Sequence, residues 1–211
     1  MKNLFFILLA GLMWSSCKKD HVTHDNGCIT QIARQNFSIK TEDSVTAITL
    51  LDQNHIARND VSLQYVSAYT VPDGDNAGTY QSVFVIQNIN GAPVLSGDVW
   101  YQFKNGILQS AHGTKYNVSN LDKRIVSSPS TLRPLFLAEV EKYTSASFAA
   151  RLKDSCLVAE FGYYDLNATV GQAPNLVRAW RVMLKNQSFP QVVFRDDNRK
   201  EIIYDGGPVL F

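Results

Sequence analysis

Apolar residues recur along this chain at two periods, and the switches between them mark its elements. Leu4 to Trp14 is an unbroken apolar run behind Met1-Lys2-Asn3. Beyond a polar stretch, Thr41-Glu42-Asp43-Ser44 offers helix caps. Val45, Ile48 and Leu51 then follow at helical spacing with Leu50 beside them, which predicts a helix over 43–56. Four segments rich in β-branched and aromatic residues come next, at 61–71, 80–88, 94–103 and 107–113. Turn signals separate them: Pro72 to Gly78, Asn90-Gly91 and Asn105-Gly106. The last is the strongest hairpin signal, because a type I′ turn needs positive φ at both central residues. A two-residue loop there sets Lys104 against Ile107 and Phe103 against Leu108.

After the polar segment 118–130, which carries Ser127-Ser128-Pro129-Ser130, the order recurs. Leu137, Val140 and Tyr143 predict a helix over 132–144, with Pro134 in its first turn. Strands follow at 157–166 and 176–185, and a hairpin pairs 192–195 with 201–204 around Asp196-Asp197-Asn198. The predicted fold class is therefore α+β. It consists of two consecutive helix-plus-antiparallel-sheet units, each with a helix over one face of a four-stranded meander. The corresponding division is a leader over 1–16, a tether over 17–40, a first unit over 41–117, a linker over 118–130 and a second unit over 131–211.

The N-terminal apolar run is eleven residues long, short of the ~20 that a membrane-spanning helix needs. It reads as a signal peptide. The run Ser15-Ser16-Cys17-Lys18-Lys19-Asp20 resembles the lipobox of bacterial lipoproteins, and of those of the Bacteroidota in particular, although Trp14 stands where Leu is usual. The resemblance implies acylation of Cys17 and a cell-envelope protein anchored to a membrane by lipid, which requires more than one acyl chain. The remaining cysteines, Cys28 and Cys156, form an even pair in an exported chain, where a disulfide is permitted. Neither sits in a Cys-x-x-Cys pair, so no thiolate metal site is expected.

Composition narrows the function. Of 211 residues, 45% are hydrophobic and 18% charged, enough apolar material for a sizeable core. The formal net charge is +1, and removing the leader with Lys2 leaves the chain neutral. A neutral chain has no electrostatic footprint for nucleic acid.

Catalytic and metal-binding patterns are weak. His21, His24 and Asp25 lie in the tether, and two histidines do not make a site. Asp73-Gly74-Asp75-Asn76-Ala77-Gly78 hints at a calcium loop, but Ala77 and Phe84 stand where oxygen ligands belong. Glu139 and Glu141 are two apart on a helix and do not face one another. His55 belongs to a helix end, and His112 to a strand without a partner acid. No Gly-x-Ser-x-Gly elbow or phosphate loop is present. An enzyme, a metal and a cofactor are all unexpected. Tyr163, Tyr164 and Trp180 are the aromatic residues considered for a ligand face.

The stretch Gln87-Asn88-Ile89-Asn90-Gly91-Ala92-Pro93-Val94-Leu95-Ser96-Gly97 resembles the Gln-x-x-x-Gly-x-Pro-Val-x-Gly core of the fungalysin/thermolysin propeptide motif, with Gly97 one residue beyond the motif's last glycine, and the match continues through Gly106 to Gly113. The second half, around Leu176 to Val182 and Val192 to Tyr204, is similar to the PepSY domain that follows this motif in thermolysin-like protease precursors. The resemblance implies cystatin-like and PepSY-like units that assist folding of a protease and inhibit it. No His-Glu-x-x-His is present. The expected function is accordingly a non-enzymatic envelope lipoprotein that binds, inhibits or chaperones an exported partner in trans, such as a metallopeptidase. The apolar tail Gly207-Pro208-Val209-Leu210-Phe211 is either a contact segment for that partner or simply the close of the last strand. The alternative is an envelope module that binds glycan or peptide on an exposed sheet face.

Overall fold

A computed structural model describes residues 27–33, 39–118, 121–168 and 172–206. The leader, Cys17 and the tail 207–211 lie outside the described residues. Twelve elements follow one another there: β1 (Ile29–Ile32), α1 (Thr41–Gln53), β2 (Val61–Val71), β3 (Gly78–Ile89), β4 (Ala92–Lys104), β5 (Ile107–His112), α2 (Pro129–Tyr143), α3 (Ala146–Arg151), β6 (Leu157–Asp165), β7 (Leu176–Leu184), β8 (Gln191–Arg195) and β9 (Ile202–Gly206). Among the described residues no helix is long and apolar enough to cross a membrane.

Much of the local pattern is realised, but α1 spans 41–53 rather than 43–56, and it begins after Lys40 with no side chain capping it. Asn90-Gly91 and Asn105-Gly106 turn the chain with positive φ at all four residues, 55°, 81°, 51° and 79°. β2 covers the predicted 61–71. α2 starts at Pro129 rather than 132, so Pro134 lies inside the helix instead of in its first turn. α3 is a further short helix, where the Ser145 hydroxyl accepts from the Phe148 N–H at 3.1 Å.

The architecture differs from the α+β pair of units. The chain is mostly β, a curled mixed sheet of nine strands with three short helices rather than two helix-plus-sheet units. β4 is the cause. It is thirteen residues long, and its C-terminal half pairs with β5 while its start runs parallel to β6, with Val94 opposite Tyr163. Gly162 permits that approach, because a Cβ there would press on the Pro93 carbonyl and lie 2.9 Å from the Leu95 side chain. The sheet therefore runs continuously in the order β2-β3-β4-β6-β7-β8-β9. β1 adds a second parallel pairing on β6, Ile29 to Leu157 through Ile32 to Glu160. It forms within the stretch read as tether.

Two cores pack under the helices. Ala47, Leu50 and Leu51 of α1 meet Val83, Val85, Val99, Tyr101 and Phe103. Leu132, Phe136 and Val140 of α2 meet Leu157, Ala159, Trp180, Val182 and Phe194. Between them, Ile89, Val94, Tyr116 and Tyr163 close the junction. The buried Asp196 carboxylate fastens the crossing segment by accepting from the N–H groups of Val126 (2.9 Å) and Ser127 (2.8 Å) and from Trp180 Nε1 (3.1 Å).

The N-terminal strap has two locks. Cys28 and Cys156 form a disulfide with their Cα atoms 4.5 Å apart. Arg133 of α2 donates to the carbonyls of Cys28 (3.1 Å), Ser155 (2.9 Å), Lys153 (2.5 Å) and Leu152 (3.4 Å). A lysine has no planar fork to serve four acceptors. Arg133→Lys is expected to cost about 2 kcal/mol in chemical denaturation, since buried carbonyls lose their donors. An unchanged midpoint would show that the cage adds nothing.

Candidate ligand cleft

Strand alternation sends one set of side chains under the helices and the other to the opposite face. On that opposite face the curl of the sheet encloses a cleft of about 450 Å³, within the range of small-ligand sites. One wall is Gln64 and Tyr65 of β2, Phe84 and Ile86 of β3, and Asp98 of β4. The other is Arg181 and Met183 of β7 with Ser188 and Gln191. β2 carries a register shift between Leu63 and Tyr65, so the irregular residue Gln64 sits at the mouth.

A row of rings continues from this wall across four strands. Tyr65 and Phe84 have centroids 5.7 Å apart, Phe84 and Trp100 stack at 5.1 Å, and Trp100 meets His112 at 5.8 Å. Each contact follows the strand register, Tyr65 opposite Phe84, Phe84 opposite Trp100, and Trp100 opposite His112. Such cross-strand ring pairs hold one another in place. Trp100 Nε1 is buried without an acceptor among the described residues.

Below the cleft lies a buried ion pair. Glu160 is 0% exposed and stands opposite Arg181 across β6 and β7. Arg181 donates from both Nε (3.1 Å) and Nη2 (2.5 Å) to Glu160 Oε2, while Oε1 has no hydrogen-bond partner among the described residues. This arrangement fixes the guanidinium plane at the cleft wall. Leu95, Ala179 and Val193 pack together on the same face.

The residues singled out in the motif gather elsewhere. The Gln87 side chain clamps the Tyr116 peptide from both sides, accepting from its N–H at 2.7 Å and donating to its C=O at 2.5 Å. Gly97 lets Tyr116 and Val94 close in, since a Cβ would lie 3.2 Å from the ring and 2.7 Å from Val94 Cβ. Gly113, at φ 106°, lies against the Asp98 carbonyl. Gly91 and Gly106 occupy turns, and Pro93 and Val94 pack at the β4–β6 crossing. These residues build the junction of the sheet, not the cleft. Gln87→Leu is expected to cost about 2 kcal/mol, because the buried Tyr116 N–H and C=O lose their partners together. Urea unfolding with an unshifted midpoint would contradict the clamp.

The aromatic residues considered for a ligand face are mostly interior. Trp180 and Tyr163 are buried in the cores, and Tyr164 packs beside Leu95, Ala179 and Val193. The ring row Tyr65-Phe84-Trp100-His112 was missed; the signal was an aromatic at matching positions of consecutive strands. His55 follows Asn54, the C-cap of α1, at φ 56°, and Glu139 pairs with Lys142 while Glu141 is exposed. The 73–78 stretch is the β2–β3 turn. Among the described residues no three of His, Cys, Asp and Glu cluster as metal ligands; His21, His24 and Asp25 lie outside them. Comparison with known proteins finds no family model that matches this chain and no matching curated protein.

Proposed function

We propose that this chain is a lipid-anchored binding module of a bacterial envelope, holding an extended segment of another exported protein in the cleft of its curled sheet. The cleft carries the reading: apolar and aromatic walls, with Gln64, Ser188 and Gln191 spaced among them, suit the alternating side chains and amides of an extended peptide. Acylated Cys17 places the module at the membrane. The secreted metallopeptidase implied by the sequence resemblance is one partner of this kind.

The test uses residues 18–211, without the leader and the lipid-bearing Cys17, beside the same chain carrying Met183→Trp to fill the cleft. Thermolysin-like peptidases, extended peptides and oligosaccharides are titrated by calorimetry. Peptide or peptidase binding that Met183→Trp abolishes supports the reading. Oligosaccharide binding alone, or peptide binding indifferent to Met183→Trp, overturns it.

A further inference from the structure

We infer that the outer edge of β2 is a self-association surface, on which a second copy of this chain adds its own β2 in antiparallel sense. β2 ends the sheet, and among the described residues it pairs only with β3. Exposed edges are ordinarily blunted by shortness, charge or proline. β9, at the other end, is five residues long and carries Asp205. β2 is eleven residues long, with no charged residue and no proline, and none of its residues is buried.

The register shift at Leu63/Tyr65 confines the regular edge to 65–71, whose centre is Ala68. A two-fold axis there sets Tyr65 against Val71 and Ser67 against Tyr69 of the second copy, a ring against a smaller side chain each time. The strand meets no like charge when it faces itself, which is what makes its own copy the fitting occupant. Tyr69 is 60% exposed, yet it is already braced from behind by stacking on Tyr80 at 5.1 Å, with Lys104 Nζ 5.4 Å from the Tyr80 ring. Little ordering remains to be done on association.

The test is sedimentation velocity on residues 18–211, without the apolar leader and the lipid-bearing Cys17, from low micromolar to sub-millimolar concentration. A dimer that dissociates on dilution is expected. Ala68→Lys and Ala68→Glu, each placing like charges across the axis, are expected to lose the dimer, and mixing the two is expected to restore it. Circular dichroism checks that each variant is folded. A chain monomeric at every concentration overturns the inference. A dimer that either variant leaves intact, or a loss that mixing folded variants does not reverse, overturns the placement on β2.

Discussion

Replacing Arg181 by methionine is expected to destabilise the chain by about 3–5 kcal/mol. That is the cost of stranding one charge of a buried pair. Glu160 is fully buried, and among the described residues its carboxylate accepts from Arg181 alone: Nε and Nη2 both reach Oε2, and Oε1 has no donor there. Without the guanidinium the carboxylate stands unpaired in the interior of the sheet, which raises the free energy of the fold. The companion variant separates the pair from its packing. Glu160→Leu together with Arg181→Met exchanges both charges for apolar bulk, and such exchanges are often neutral or stabilising. The double variant is therefore expected to recover most of the lost stability, read as the coupling energy of a double-mutant cycle in urea. A single variant as stable as the parent would show that the ion pair does not hold this part of the sheet.

The second large effect is expected at the strap. Cys28→Ser with Cys156→Ser frees a loop whose ends are 128 residues apart in sequence, and loss of that constraint corresponds to roughly 5 kcal/mol in the chain-entropy picture, with measured losses of about 2–5 kcal/mol. The loss is also local. β1 has four residues and among the described residues pairs with β6 alone, and the Leu157 N–H donates to the Cys28 carbonyl at 2.7 Å. Hydrogen exchange is expected to show the amides of 29–32 losing protection before those of β6 and β7. Arg133 also grips the Cys28 carbonyl, so combining its replacement with loss of the disulfide is expected to be non-additive. Unchanged protection of 29–32 would mean that the ladder to β6 suffices without the bond.

The two predictions concern the parts of the molecule that were least legible beforehand. Elements governed by neighbours in sequence could be read directly. β2 spans the alternating run 61–71, and the two Asn-Gly turns fall where positive φ is affordable. The helix read over 43–56 from Val45, Ile48, Leu50 and Leu51 forms over 41–53; Lys40 stands at its N-cap without a capping side chain, and the face it buries is Ala47, Leu50 and Leu51. These are short-range consequences of backbone sterics and side-chain period, so the amino-acid order alone determines them. β1 left no such trace, because Ile29-Thr30-Gln31-Ile32 is too short to show a period and forms only by docking on β6. Nor did the junction. β4 passes alongside β6 because Gly162 has no side chain to keep it away and because Gln87, through Tyr116, holds the returning chain beneath it. One sheet in place of two units, and the cleft inside its curl, follow from that crossing. Glu160 and Arg181 are twenty-one residues apart, and the ring row joins residues of four strands. Their proximity is set by strand register. Register and edge choice are decided by long-range burial, which tertiary structure supplies and local pattern does not contain.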